Sequence, residues 1–122
     1  MTDKKNTIHD LKKEISKFVK ARDWEKFHSP KNLSMAIAIE AAELMEHFQW
    51  HGQGEDLKRL KSNRLEIEDE LADILAFLLS FSNLYQIDLS KALLRKLKKN
   101  AKKYPVHLAK GKAHKYTAYK KT

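Results

Sequence analysis

The stretch EIEDELADILAFLLSF, residues 66–81, decides the fold. Ile67, Leu71, Ile74 and Leu78 recur every three or four residues, the spacing that lines one face of an α-helix. The same period runs through Ile8, Leu11, Ile15, Phe18 and Val19, which predicts a first helix over 8–21 with Thr7 as its N-cap. Strand-like alternation is absent, and only three glycines and two prolines interrupt 122 residues. The chain is therefore expected to be all-α.

The punctuation places the other elements. DWEKFHSP (23–30) breaks the period and reads as a loop. Ser29 followed by Pro30 then has the form of an N-cap with proline at the first helical position. A second helix should run from there to about Trp50, where HGQG (51–54) ends it. A short helix is expected over 55–61 and a long one over 63–85, with Asn63 and Glu66 at capping-box spacing. Asp88 or Ser90 opens a last helix, closed by Tyr104-Pro105. Four main helices with short connections predict an antiparallel four-helix-bundle-like fold with one short extra helix. Residues 107–122 have little to bury and are expected to form a partly disordered basic tail beyond a single domain over 1–106.

Composition narrows the chemistry. There is no cysteine, which excludes disulfides, zinc–thiolate sites and thiol nucleophiles. No apolar run approaches the roughly 20 residues of a membrane span, so a cytoplasmic protein without a membrane partner is expected. The net charge of +9 is unevenly spread. Twelve of the 25 Lys and Arg lie beyond Asp88, the last acidic residue. Residues 1–88 thus carry 13 basic against 16 acidic side chains, a net of −3. A basic C-terminal third suits a polyphosphate, a nucleic acid or a solvated tail.

Two pairs of carboxylates stand out. Glu40 and Glu43 are three residues apart, so they share a helix face beside the stripe of Leu33, Ile37, Leu44 and Phe48. Glu70 and Asp73 repeat the arrangement on the long helix, with Phe77 one turn on. Solvated acids on amphipathic helices are the plain alternative. If the two pairs face each other, their charges require a cation, and an all-oxygen donor set favours Mg²⁺, Mn²⁺ or Ca²⁺. Such a centre beside a basic segment is what a polyphosphate substrate would need.

These residues resemble a family. Glu40-x-x-Glu43 followed by Glu70-x-x-Asp73 is similar to the metal motif of the MazG-like nucleoside triphosphate pyrophosphohydrolases. The segments DWEKFHSPKNL (23–33), ELMEHFQW (43–50), DELADILAFLL (69–79) and NAKKYPV (100–106) resemble its small dCTP pyrophosphatase-like branch. The resemblance implies cleavage between the α- and β-phosphates, giving a monophosphate and pyrophosphate. It implies Mg²⁺, or Mn²⁺, on Glu40, Glu43, Glu70 and Asp73, with Glu46 as base or supporting carboxylate. Trp24, Phe27, His28 and Trp50 would surround the nucleobase. Lys96, Asn100 and Tyr104, at i, i+4 and i+8 on the last helix, become candidates for phosphate contacts across a subunit boundary. A homodimer or homotetramer is implied as well.

Two features depart from the family pattern. Phe77 stands where the dCTP-cleaving relatives carry tyrosine, so a hydrogen bond to sugar or phosphate would be missing. The lysine-rich segment after Val106 matches no family role. A pyrimidine deoxynucleotide such as dCTP is the expected substrate, with dUTP or phosphoribosyl-ATP as related alternatives. A non-catalytic basic module that binds nucleic acid is the rival reading, and it leaves both carboxylate pairs without a purpose.

Overall fold

A computed structural model describes residues 1–119, and residues 120–122 of the basic tail lie outside the described residues. Those described form six α-helices, two turns of 3-10 helix and no strand. The chain divides into two compact units, Met1–Ile87 and Asp88–Thr122. No helix among the described residues is long and apolar enough to cross a membrane.

In the first unit, α1 (Ile8–Ala21) opens with a reciprocal cap: Thr7 Oγ1 accepts from the Asp10 N–H at 3.1 Å, and Asp10 Oδ2 accepts from the Thr7 N–H at 2.9 Å. Those backbone and side-chain bonds from Thr7 lower the pKa of Asp10. After α1 the loop folds into one 3-10 turn, Glu25–Phe27, ordered by the Trp24 N–H donating to Val19 O at 3.1 Å. Asn32 Nδ2 donates to Phe27 O at 3.0 Å and ties this loop to α2 (Pro30–Glu46). Ser29 caps α2 with Pro30 at its first position, as the sequence predicts.

The predicted end of α2 at Trp50 is four residues too long. Arg59 Nε donates to His47 O at 3.0 Å, taking a carbonyl that a continuing helix would use. His47 and Phe48 instead donate three residues back, to Leu44 O and Met45 O. A short helix, α3 (Asp56–Ser62), then meets α4 (Arg64–Leu84) at the single residue Asn63. The expected capping box is absent there. The Ser62 hydroxyl donates to Asn63 Oδ1 at 2.8 Å, which engages the oxygen that would cap α4.

Helices α1, α2 and α3 all pack on α4. Val19, Leu33, Ile67 and Leu79 form the fully buried core, with Ser80 and Ser82 buried beside them. Ser82 is satisfied within its own helix, its hydroxyl donating to Leu79 O at 2.9 Å. The two ends of the unit are latched reciprocally. Lys12 Nζ donates to Ile87 O at 2.7 Å, and Asn83 Nδ2 donates to Lys12 O at 2.9 Å.

The second unit opens on α5 (Leu89–Lys103), whose cap is Asp88 accepting from the Lys91 N–H at 2.9 Å. Beyond Tyr104-Pro105, where the sequence ends regular structure, come α6 (Val106–Ala109) and a 3-10 turn at Tyr116–Tyr119. Tyr104 meets Tyr116 and Tyr119 edge-on at 6.3 and 6.1 Å, and Lys103 Nζ lies 4.8 Å above the Tyr116 ring. Three tyrosines scattered over sixteen residues supply burial that a local reading of the tail does not show.

Candidate functional site

The helical register of α2 places Glu40 and Glu43 on the face it turns to α4, and Glu70 answers from α4. All three are half-buried, and each offers a carboxylate oxygen within 4.8 Å of the others. Among the described residues it is His47 that approaches them, with its Nε2 3.8 Å from Glu70 Oε1.

Three acids held this tightly resist ionising together. Burial pushes the Glu40 carboxyl up to about 7, with a hydrogen bond to Glu43 and the charges of Glu43, Asp73 and Glu70 adding to the rise. Burial also raises Glu70, helped by Glu43 and Asp73, while His47 pulls the other way. Glu40 Oε2 and Glu70 Oε2 are both buried without a hydrogen-bond partner. Buried oxygens left in this state are what a cation completes, and an all-carboxylate set suits a hard divalent ion.

Asp73 stands slightly apart. It is exposed and falls outside the group of three, yet it shares a cleft with Glu40. That cleft, about 360 Å³, is lined by these two carboxylates and by the aromatic side chains of Trp24, Phe18, His28 and Phe77. His28 meets Phe77 edge-on at 6.4 Å, and its Nδ1 is buried without a partner. The main chain of His28 is held by Tyr85, whose hydroxyl donates to His28 O at 2.9 Å. Arg22 lies 3.7 Å over the Phe18 ring, which in turn meets Trp24 edge-on at 5.8 Å.

Of the residues expected around a base, Trp24, His28 and Phe77 are thus brought together. Phe27 is 58 % exposed under Lys26 and Trp50 is 85 % exposed, and neither lines the cleft. Glu46 is exposed at the last position of α2. Lys96, Asn100 and Tyr104 belong to the second unit, where Lys96 is exposed and Tyr104 joins the tyrosine cluster. Two residues beside the site are not among those the sequence singles out for it. Phe18, in the apolar stripe of α1, lines the cleft. His47 follows Glu40 and Glu43 at i+7 and i+4, so the same spacing rule that linked the glutamates would have found it.

Comparison with known proteins places the chain. Bovine (Bos taurus) dCTP pyrophosphatase 1 is 40% identical over 113 residues, which are 91% of this chain and 67% of that protein. The human (Homo sapiens) protein of the same name is 38% identical over 91% of this chain and 66% of its own length. The chain thus spans about two thirds of the length of these relatives. The crystal structure of a pyrophosphatase from Archaeoglobus fulgidus superposes with a TM-score of 0.78 at 37% identity, covering 86% of this chain and 98% of that one. Residues 35–118 match the MazG-like family, a span that holds all three clustered glutamates, and the chain belongs to that family.

Proposed function

We propose that dCTP, or a modified form of it, is the substrate of this chain, a MazG-like nucleoside triphosphate pyrophosphohydrolase. The products would be the nucleoside monophosphate and pyrophosphate. The observation that carries the reading is one shared cleft lined by Glu40 and Asp73 together with Trp24, His28 and Phe77. A nucleotide needs both kinds of lining, one for its charged phosphates and one for its flat base. The names of the bovine and human relatives support dCTP in particular.

Glu40, Glu43 and Glu70, with Asp73 beside them, would hold Mg²⁺ or Mn²⁺. When bound, the ion polarises the phosphates and lowers the pKa of an attacking water. The side chains contribute the rest. Trp24 and Phe77 offer π faces to the base and keep water from it, and His28 Nδ1 offers a hydrogen bond that no group among the described residues uses. Glu46, open to solvent one turn beyond Glu43, is the carboxylate assigned to take the water's proton. Lys96, Asn100 and Tyr104, at i, i+4 and i+8 along α5 and its C-cap, are assigned to phosphate contacts in the site of a neighbouring subunit. A homodimer or homotetramer in the cytoplasm completes the reading. Its support is the exposed apolar surface of α2 and α4, including Met35, Ile39 and Leu71.

The test is pyrophosphate release measured over the common and modified nucleoside triphosphates, with and without Mg²⁺, on wild type and Glu43→Ala. Mg²⁺-dependent release that ranks dCTP or a modified dCTP first, and that disappears in the variant, is the expected result. A ranking led by dUTP or phosphoribosyl-ATP would keep the chemistry and replace the substrate. No release from any nucleotide would refute the reading.

A further inference from the structure

We propose that His47 is a positioning residue that fixes the carboxylate of Glu70 for cation binding. The inference rests on the reading of Glu40, Glu43 and Glu70 as a cation site.

Glu70 is the one member of the trio supplied by α4, so the width of the site depends on how its side chain is held. Its two oxygens have different surroundings. Oε1 lies 3.8 Å from His47 Nε2, while Oε2 is buried without a hydrogen-bond partner. His47 therefore engages one oxygen from the side and leaves the other available to a ligand. At that distance the pair is not a hydrogen bond, and what His47 supplies is a ring nitrogen that faces Oε1 and limits where the carboxylate can turn. Both side chains are largely shielded from solvent, at 17% and 20% exposure.

His47 is itself held from two directions. Its backbone N–H donates to Leu44 O at the end of α2, and its carbonyl accepts from Arg59 Nε of α3 at 3.0 Å. Main-chain bonds place the imidazole, and the imidazole places the carboxylate. The consequence is that α3, which contributes no carboxylate to the trio, helps to set the geometry of the site through Arg59. Because both anchors of His47 are backbone bonds, a side-chain substitution leaves them intact. Groups that orient a ligating side chain typically change metal affinity by about 10- to 100-fold when removed.

The experiment is titration of the metal-free full-length protein with Mn²⁺, followed calorimetrically without nucleotide, on wild type, His47→Leu, His47→Gln and Glu70→Gln. Thermal melts in chelator confirm that each variant is folded. His47→Leu should weaken Mn²⁺ binding about tenfold or more, whereas His47→Gln, which keeps a nitrogen donor near the position of Nε2, should stay within about threefold of wild type. Unchanged affinity in His47→Leu overturns the proposal, as does equal loss in the leucine and glutamine variants. Unchanged affinity in Glu70→Gln would instead overturn the cation site itself, which separates the two failures.

Discussion

The Tyr85 hydroxyl donates to the carbonyl of His28 at 2.9 Å, across 57 residues of sequence. It joins the end of α4 to the loop that carries Trp24 and His28 into the cleft. Tyr85→Phe removes that bond and little else. The bond is exposed, so the stability loss should stay near the low end of the usual 0.5–1.5 kcal/mol, roughly 0.5 kcal/mol by urea denaturation. The KM for nucleotide should rise several-fold while kcat changes less, because the loop would be less ordered before substrate arrives. An unchanged KM would show that the loop holds itself.

Trp24→Ala tests the aromatic lining directly. Stacking of a base on an aromatic side chain is worth about 1–3 kcal/mol, so KM should rise about 5- to 150-fold. Mn²⁺ affinity measured without nucleotide should not move, since Trp24 is not among the clustered glutamates. A matching loss of Mn²⁺ binding would place the tryptophan with the cation rather than the base.

The metal-free protein should lose stability as pH rises. Glu40 has an ordinary value of 4.5 and sits at about 7 in the folded chain, so between those values the folded state binds more protons than the unfolded one. Stability linked to this group is present below about pH 4.5 and is lost as pH climbs through 7. Thermal melts in chelator should show a falling midpoint across that window. Glu40→Gln, which removes the titration, should flatten the curve, and a midpoint that rises with pH in wild type would contradict the assignment.

Divalent ions should reverse that dependence. Mg²⁺ at 100 times its Kd should add about 2.7 kcal/mol of stability, most fully at neutral pH where the carboxylates are ionised. Glu43→Ala should abolish the gain. Scanning calorimetry with and without the ion gives the answer, and an equal gain in the variant would place the ion elsewhere.

Much of the fold was legible because it rests on local chemistry. Thr7 and Asp10 announce α1, Ser29-Pro30 announces α2, and the apolar period of 66–81 announces α4. The pairing of Glu40 with Glu43 was legible for the same reason, since i, i+3 spacing fixes a shared face, whereas the approach of Glu70 without Asp73 depends on how α4 packs on α2. What escaped depends on residues far apart. The end of α2 is set by Arg59, twelve positions beyond the carbonyl it takes from His47. The unused cap of Asn63 follows from a hydroxyl on its neighbour, and the meeting of Tyr104 with Tyr116 and Tyr119 from residues that come together only on folding. Among the base-pocket candidates, periodicity could not tell Trp24, drawn in beside Phe18, from the exposed Trp50.

The reciprocal latch between Lys12 and the 83–87 segment also bears on synthesis. One of its two hydrogen bonds spans 75 residues, so α1 leaves the ribosome long before its partner exists. At about 5–20 residues per second the wait is roughly 4–15 s. Throughout that interval Ile15, Phe18 and Val19 have no α4 to cover them. The helix most completely specified by its own sequence is therefore the one that a nascent chain must protect the longest.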